Sequence, residues 1–391
     1  MPTAAQPQRG FPLAEFEART ERAQRMMREY EYDALLLTTE AQLRYFTGFL
    51  TQFWQSPTRP WFLVVPASGK PIAVIPTIGL AGMRDTWIDD IRDWPSPQPK
   101  DDGISLLAET IRELPRHFDC LGLTFGKESL LRMPMLDYWH LRARLPGLDM
   151  VDCAEPMLKL MSVKSAAEID KIRYVCELAS DSFEALPEIA QSGQSEREIL
   201  REMRIDLLRR GADHTPYIVC ASGPDGYGDI IMGPRDRRLE TGDILIIDTG
   251  TVFDGYYCDF DRNFAFGRAS DNAKRVYETV YRSTDAGLEA ARPGATTTDV
   301  WQAMWSVLEA GGAKSNDVGR MGHGLGAQLT EWPSLTASDH TPLEPGMVIT
   351  LEPGMDYGDG KLMVHEENIV ITDAGAQLLS RRAAPGLPII D

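Results

Sequence analysis

Residues 244–266 read ILIIDTGTVFDGYYCDFDRNFAF, and this stretch predicts two antiparallel strands joined by a tight turn. The aliphatic run at its start is typical of a buried strand. Asp254-Gly255 is a pair that two-residue hairpin turns prefer. If these two residues form the loop, Phe253 pairs with Tyr256, and this pairing sets the register of the whole hairpin.

Three aspartates fall on one face of the predicted hairpin. The register sets Asp248 opposite Asp261, and Asp259 shares the face of Asp261 because side chains two apart on a strand point the same way. Asp248 and Asp259 are diagonal neighbours with Cα atoms roughly 7 Å apart. Two carboxylates at that separation can hold a metal ion between them. Taken alone, the two residues are equally well explained as solvated acids that flank a turn.

Three further candidates lie in later segments. His323 lies between glycines in MGHGLG, residues 321–326, where the backbone can approach a ligand closely. Glu352 ends the apolar run of residues 347–353, and Glu366 opens another strand-like segment. A lone histidine is more often structural than a ligand, but four carboxylates and one imidazole are a set that a pair of divalent cations binds. The combination predicts a dinuclear metal centre.

Composition is that of an ordinary globular protein. The 391 residues are 43% hydrophobic and 25% charged, enough for two or three domains. The net charge of −18 argues against nonspecific binding to nucleic acid or anionic membranes. We see neither a secretion signal nor an apolar run of the roughly 20 residues that span a membrane. Five scattered cysteines without a CxxC pair fit a reducing compartment, so we expect a cytoplasmic protein.

The pattern of the sequence changes near residue 155. Before it, short strands alternate with helices, which is typical of an α/β domain, and we place this domain at residues 1–158. After it, residues 160–186 have the spacing of a long amphipathic segment, in which Ser165 followed by Glu168 is a capping-box signature. We place the second domain at residues 159–391. Its further helices are expected near residues 195–210, 272–291 and 298–310.

These motifs resemble the family of creatinase-like and Xaa-Pro aminopeptidase-like metallohydrolases, which includes methionine aminopeptidase and prolidase. The resemblance covers nearly the whole chain, with Asp33–Leu37 and Tyr45–Phe49 in the first domain and Lys164–Ile169 at the start of the second. The catalytic signatures are Asp248-Thr249-Gly250, Asp259 with Arg262, His323-Gly324-Leu325-Gly326, Glu352-Pro353-Gly354 and Glu366. The resemblance implies an α/β N-terminal creatinase-like domain followed by an α+β catalytic domain with the pita-bread fold.

The resemblance also implies how two metal ions are held. Asp248 would chelate one ion, Asp259 and Glu366 would bridge both, and His323 and Glu352 would complete the second. This oxygen-rich set favours Mn²⁺, with Fe²⁺, Co²⁺ or Zn²⁺ as alternatives. The metals would activate a water and polarise the scissile carbonyl, and Glu352 would also shuttle a proton. We therefore expect Glu352 and His323 to be catalytic as well as metal ligands.

The residues expected around the substrate depart from the family pattern. Family peptidases carry a histidine seven residues after the metal histidine, where this chain has Thr330, and another about sixteen residues before the first aspartate ligand, near Met232. Asp261 stands where threonine or serine is common. Trp332 is a candidate aromatic wall for a cationic or prolyl substrate, and His214 is a candidate to line the same site.

Three functions stay open at this point. The first is a metal-dependent Xaa-Pro aminopeptidase or prolidase that cleaves the bond before proline. The second, which the missing histidines favour, is a hydrolase or lyase of a small amide, amidine or onium compound. The third is a binding protein without catalysis, against which the complete set of five ligands argues. The expected partners are a small molecule or short peptide and a second copy of the chain, with neither nucleic acid nor membrane.

Overall fold

The structure, a computed structural model, describes residues 5–315 and 319–391. The chain forms two compact units, one of residues Gln8–Met161 and one that contains Ser162–Asp391. Within the described ranges, every helix lacks the length or the apolar character that crossing a lipid bilayer requires.

The N-terminal unit is a six-stranded mixed sheet with helices. Its elements are α1 Leu13–Glu29, β1 Ala34–Leu37, α2 Glu40–Thr47, β2 Phe62–Pro66, β3 Ile72–Pro76, α3 Leu80–Arg84, β4 Asp90–Trp94, α4 Ile104–Arg112, β5 Cys120–Leu123, α5 Met135–Arg144 and β6 Asp149–Asp152, after which α6 Ala154–Ser162 leads into the second unit. The strand order is β4-β3-β2-β1-β5-β6. Leu36 and Val64 of the sheet pack with Leu107 of α4 and Leu141 of α5 in one apolar core.

The second unit combines long helices with two larger sheets and a small one. Its elements are α7 Ala166–Glu184, α8 Leu186–Ile189, α9 Glu196–Arg210, β7 His214–Pro224, β8 Asp243–Phe253, β9 Tyr256–Tyr257, β10 Phe260–Phe266, α10 Asp271–Ala290, α11 Thr297–Ala310, β11 His323–Gly324, β12 Glu331–Ser334, β13 Val348–Leu351, β14 Gly354–Gly358, β15 Lys361–Val364, β16 Glu367–Thr372, β17 Gly375–Leu378 and β18 Ile389–Ile390. One sheet has the order β18-β10-β8-β7, and another has the order β12-β11-β13-β16-β17.

One apolar core joins the two larger sheets of this unit to its helices. Ile246 of β8 and Ile349 of β13 belong to it, together with Val280 of α10 and Met304 of α11. All four side chains are almost completely buried. Because the two sheets share one core, residues on or next to β8, β11, β13 and β16 can meet in one place.

The hairpin has the register that the sequence predicts. Phe253 pairs with Tyr256, and Asp248 pairs with Asp261. Both residues of the turn Asp254-Gly255 have positive φ, 46° and 78°, as a type I′ turn requires. The local turn chemistry therefore sets which side chains of β8 and β10 face each other.

Two capping boxes start helices where the sequence expects helix beginnings. The Ser165 side chain accepts from the Glu168 N–H while the Glu168 side chain accepts from the Ser165 N–H, and Ser195 begins α9 in the same way. The segment 160–186 is not one helix, however. It breaks between α6 and α7, because Val163 forms a β-bridge with Met347. A bridge to a residue far along the chain thus overrides the local helical spacing.

A buried ion pair holds the segment that follows β11. Lys164 Nζ lies 2.7 Å from Glu331 Oε2, and the two side chains are only 2% and 5% exposed. The other carboxylate oxygen of Glu331 accepts from the Gln328 N–H. Gly326 lies against the pair, since a Cβ at this residue would lie 2.7 Å from Lys164 Cε. The pair ties the start of the second unit to residues 326–331.

We expect Glu331→Gln to lower the thermal stability of the second unit, because it leaves the Lys164 ammonium as an unpaired buried charge. Breaking such a pair from one side costs about 3–5 kcal/mol. Calorimetry should show the unfolding transition of this unit at a lower temperature. The double variant Lys164→Met/Glu331→Leu should recover much of the lost unfolding temperature. The matched control is Lys159→Met in the exposed pair Lys159–Glu155, with side chains 50% and 73% exposed, which should change little. Equal shifts in the two single variants would contradict the assignment.

Candidate metal centre

The hairpin supplies the first two carboxylates. Asp248 lies in the middle of β8, a strand in which every residue is buried, and Asp259 lies between β9 and β10. The Asp259 N–H donates to Asn368 Oδ1 at 2.9 Å, and the Asn368 side chain donates back to the Asp259 carbonyl. This double contact with β16 orients the backbone that carries the Asp259 carboxylate.

His323 begins β11 and is held in place by the close packing of Gly322 and by two hydrogen bonds of its own. Gly322 before it has a φ of 134°, and a Cβ there would lie 2.2 Å from the Thr350 carbonyl oxygen, so this close approach requires glycine. The His323 N–H donates to Thr350 Oγ1 at 2.9 Å. The His323 Nδ1 lies 2.8 Å from the Gly324 carbonyl oxygen. Since a carbonyl oxygen only accepts, Nδ1 carries the proton in the neutral ring and Nε2 presents its lone pair.

The two glutamates lie beside strands of the second sheet. Glu352 directly follows β13, and its carboxylate accepts from the Thr350 hydroxyl at 2.5 Å. Glu366 directly precedes β16, and its N–H donates to Asp261 Oδ1 at 2.9 Å. Arg262 donates to the Glu366 carbonyl at 2.9 Å. Side chain and backbone hydrogen bonds thus hold both residues in place.

The five side chains converge in two overlapping groups. Ligand atoms of Asp259, His323 and Glu352 lie within 4.8 Å of one another, and so do those of Asp248, Asp259 and Glu366. His323 Nε2 lies 2.9 Å from Glu352 Oε1 and 3.2 Å from Asp259 Oδ2. Asp259 belongs to both groups, as a carboxylate that bridges two metal ions would.

Burial and crowding shift the pKa values of these groups. Burial, reinforced by neighbouring carboxylates, raises the pKa of Asp248 and Glu366 well above the ordinary range, and burial raises the pKa of Asp259 to about 6 although His323 opposes this shift. Burial also acts to raise the pKa of Glu352, but His323 outweighs it and the pKa is lowered. Burial disfavours the imidazolium, yet Glu352 and Asp259 raise the pKa of His323 to about 10.

The donor set fits a pair of divalent cations. Asp248 Oδ1 is buried and has no hydrogen-bond partner among the described residues. Burying such an oxygen costs free energy unless a partner satisfies it. Four carboxylates bring four negative charges, which two divalent ions would balance, and a neutral imidazole completes a mixed oxygen and nitrogen ligand set. The site therefore has the charge, the donor types and an unsatisfied oxygen that metal binding would explain.

A cavity of about 260 Å³ opens onto these groups. It is lined by Tyr217, Ile230, Ile231, Ile246, Asp248, Asp259, Arg320, His323, Leu329, Thr330, Glu352 and Glu366. All five predicted metal ligands are therefore exposed to one space. The volume lies below the roughly 300–1,000 Å³ of pockets for drug-sized ligands, so the cavity suits a small substrate.

Of the residues predicted to bind substrate, some line the cavity and others lie away from it. Thr330 lines the cavity, and Ile231 lines it in place of Met232, the next residue, which is 57% exposed. Trp332 is not among the lining residues, because its side chain packs against the apolar core. His214 is exposed at the start of β7, opposite Val252, and does not line the cavity. Asp261 is buried, with one oxygen bound to the Glu366 N–H.

Two polar residues of the cavity wall are missing from the sequence-based prediction. Tyr217 pairs with Gly250, and Val219 pairs with Asp248, so Tyr217 lies on the Asp248 face, two residues along β7. Alternation would identify it once β7 is known to pair with β8. Arg320 lies three residues before His323. This closeness in sequence to a predicted ligand is the one feature that could have suggested Arg320 as a residue of the cavity wall.

Two family models match the chain. The creatinase/prolidase N-terminal domain matches residues 19–163, and metallopeptidase family M24 matches residues 170–373. The chain belongs to metallopeptidase family M24. The M24 match contains all five residues that converge at the candidate metal centre. Enzymes of this family use a dinuclear divalent metal site, and the donor set fits one. The predictions of a creatinase-like relationship and of a metal-dependent, peptidase-like hydrolase are confirmed.

Relatives of this M24 protein carry dipeptidase names. The probable dipeptidase PepE of Mycobacterium tuberculosis is 28% identical over 348 residues, which cover 88% of this chain and 88% of the relative. The Xaa-Pro dipeptidase of Pyrococcus furiosus is 28% identical over 264 residues, 66% of this chain and 74% of the relative.

Solved structures confirm the predicted fold class. The crystal structure of dipeptidase PepE from Mycobacterium ulcerans superimposes with a TM-score of 0.84 at 27% identity, over 97% of this chain and 99% of that one. The prolidase from Pyrococcus horikoshii has a TM-score of 0.81 at 21% identity, over 94% and 99% of the two chains, and shows the fold alone. The M24 unit thus has the pita-bread fold, and in the sequence it follows a creatinase-type N-terminal domain.

We expect Asp259→Asn to lower the bound metal from about two ions per chain to one or none, because Asp259 belongs to both ligand groups and an amide bridges two cations poorly. Elemental analysis after loading with Mn²⁺ measures this. The metal-free variant should unfold close to the wild-type temperature, since the change relieves repulsion among buried acids. The control is Asp271→Asn, at the exposed start of α10. Full metal occupancy in Asp259→Asn would contradict the assignment.

Proposed function

We propose that this chain hydrolyses the peptide bond before proline in short peptides, using two divalent cations. The observation that carries the proposal is the convergence of five ligand side chains on one small cavity with apolar walls. The Xaa-Pro dipeptidase name of the Pyrococcus furiosus relative supports the choice of bond. The cavity volume of about 260 Å³ supports a short substrate.

The five side chains would divide the binding of the two ions. In this proposal Asp248 binds one ion, Asp259 and Glu366 bridge both, and His323 and Glu352 complete the second. Bound divalent cations supply Lewis acidity toward water and toward the scissile carbonyl. The chain's part is to hold these donors at fixed positions. The contacts of Thr350 with both His323 and Glu352 serve that purpose.

Glu352 is the proposed proton carrier. One of its oxygens accepts from the Thr350 hydroxyl, which leaves the rest of the carboxylate directed into the cavity that it lines. A carboxylate there can take a proton from the attacking water and return it to the leaving amine. A carboxylate that binds a divalent cation is ionised, as a base must be before the reaction.

The wall of the cavity favours a second candidate function. Ile231 and Thr330 lie in this wall, near the two places where family peptidases carry histidines. Ile231 has no hydrogen-bond donor, and the Thr330 hydroxyl can donate only a neutral hydrogen bond to a tetrahedral intermediate. This difference supports hydrolysis or lysis of a small amide, amidine or onium compound on the same metal centre as the alternative.

We expect the Mn²⁺-loaded protein to hydrolyse Ala-Pro, and we expect Glu352→Gln to lower kcat by about 100-fold or more, because it removes the proton carrier. The assay measures both products beside a panel of small amides and onium compounds. Glu309→Gln, at an exposed position of α11, is the control and should be fully active. Turnover of the small compounds without Ala-Pro would favour the alternative. If both activities persist after a chelator has removed the metal, the metal mechanism is excluded.

The native metal, the assembly and the compartment are also proposals. The oxygen-rich donor set supports Mn²⁺. The five free cysteines support the cytoplasm. Exposed apolar side chains of the N-terminal unit, Leu130, Met135, Leu136 and Trp139, support a homodimer. Light scattering after size exclusion measures the assembly, and a monomer at micromolar concentration would contradict it.

A further inference from the structure

A second cavity, the N-terminal cavity, is lined only by residues of the first unit. Its volume is about 670 Å³, within the roughly 300–1,000 Å³ of pockets that bind small organic molecules. The lining residues come from three segments, 54–60, 97–102 and 131–140. All of them belong to the unit Gln8–Met161, so the N-terminal cavity shares no residue with the candidate metal centre.

One wall of the N-terminal cavity carries a buried hydrogen-bond donor that lacks an acceptor. Trp54, in the short helix Gln52–Gln55, is only 8% exposed. Its Nε1 has no hydrogen-bond partner among the residues that the structure describes. The ring packs against Trp61, with ring centroids 5.7 Å apart. Burying an N–H costs free energy unless an acceptor satisfies it, and a ligand in the cavity that Trp54 lines would supply one.

Two arginines of the same wall carry charges that no acid neutralises. Arg132 lies over the Trp54 ring, with its Cζ 5.2 Å from the ring centroid. Its Nη2 donates to the carbonyl oxygens of Trp54 and Ser56, at 3.2 and 2.6 Å. Arg59 is partly buried, and its Nε has no hydrogen-bond partner among the described residues. Within residues 5–315 and 319–391 neither guanidinium forms an ion pair.

The acids that line the N-terminal cavity are engaged away from these arginines. Asp101 accepts from the Ser105 N–H at 3.0 Å, and Asp102 accepts from the Trp94 indole N–H at 2.8 Å. Burial raises the pKa of Asp137, and the charges that also act on it are those of a histidine and of these two acids. The negative charges of the cavity therefore lie apart from the two arginines.

The donors on this wall define the kind of ligand. Indole and guanidinium groups only donate hydrogen bonds, and the two arginines add two positive charges. A phosphate monoester carries a charge of about −1.5 to −2 near pH 7 and three terminal oxygens, which match both the charge and the three donor groups. A carboxylate offers one charge and two oxygens. Leu131 and Pro134 line the same cavity and give the organic part of a ligand an apolar surface.

We propose that the N-terminal cavity binds a phosphate monoester of a small organic molecule, with the phosphate held by Arg59, Arg132 and the indole N–H of Trp54. Guanidinium groups match phosphate oxygens through paired N–H donors. The proposal goes beyond the proposed function, because it uses none of the residues assigned to hydrolysis. It holds whether or not the chain cleaves the bond before proline.

The indole N–H of Trp54 allows the site to be observed directly by NMR. In full-length protein labelled with ¹⁵N at tryptophan, the Trp54 signal is the one that Trp54→Phe removes. Phenyl phosphate should shift this signal in a saturable titration, because the N–H gains an acceptor. Phenol, which has the ring without the phosphate, should leave the signal in place. An unchanged signal with phenyl phosphate, or an equal shift with phenol, would overturn the proposal.

Calorimetry with the metal-loaded protein tests the two arginines. Arg59→Gln and Arg132→Gln should each weaken the binding of phenyl phosphate by about tenfold, the size of a lost hydrogen bond to a charged group, without changing the metal content. Arg59→Gln is the cleaner variant, because the Arg59 guanidinium has no ion pair in the described part of the chain to lose. The matched control is Arg84→Gln, at the exposed end of α3, which should bind like the wild type.

Two outcomes of the calorimetry would contradict the assignment. Equal affinity for phenyl phosphate in the wild type and in Arg59→Gln would overturn it, because the anion would then bind elsewhere, for example to the metal ions. Benzoate tests the choice of anion, since it carries a carboxylate on the same ring. We expect it to bind about tenfold more weakly than phenyl phosphate, for want of a third oxygen and a second charge. Equal or tighter binding of benzoate would overturn the assignment of a phosphate.

Discussion

The second unit is organised around the burial of four carboxylates that form two groups joined by Asp259. Each acid would be more stable in water, and each disfavours the ionisation of the next, as the raised pKa values of Asp248, Asp259 and Glu366 show. Backbone contacts hold them together despite this repulsion. Asn368 fixes the backbone of Asp259 through two hydrogen bonds, and Asp261 fixes that of Glu366. The fold thus brings together acids whose ionised forms bound cations would stabilise, as the proposed metal centre requires.

The neighbouring residues Glu366 and Glu367 show how the fold separates two kinds of buried acid. Glu367 is paired with Arg262 at 3.1 Å and with Arg382 at 3.2 Å, and it also accepts from the Ser380 hydroxyl. Glu366 has no basic partner within ion-pair distance in the described part of the chain. Side chains alternate along a strand, so one acid faces its arginines and the next faces the cavity. The protein pairs the first acid with its own arginines and leaves the second, a candidate metal ligand, without one.

The parts of the structure that follow from local chemistry could be predicted from the sequence. The Asp254-Gly255 turn requires positive φ at both residues, which sets Asp248 opposite Asp261. The capping box at Ser165 is equally local. The break between α6 and α7 could not be predicted, because it depends on an isolated bridge from Val163 to Met347, 184 residues later in the chain and just before β13.

The same distinction divides the candidate site. The five ligands lie on or beside strands whose register and periodicity can be read, so the sequence already grouped them. Tyr217 and Arg320 belong to the cavity through tertiary packing alone, and the sequence-based prediction missed them. Trp332 was predicted as a wall residue from its nearness to His323, but its side chain is partly buried and packs against the apolar core. Nearness along the chain does not say which way a side chain points.

The metal centre and the cavity wall can therefore change independently. The candidate metal ligands lie on strands or next to them. Moving one ligand would disturb the strand register on which the packing of the apolar core also depends. The wall residues Ile231, Arg320 and Thr330 lie outside the strands, where substitution costs less stability. A hydroxyl at Thr330 accepts from the Arg320 guanidinium without adding charge. One family can thus keep its metal chemistry while the wall changes what is bound.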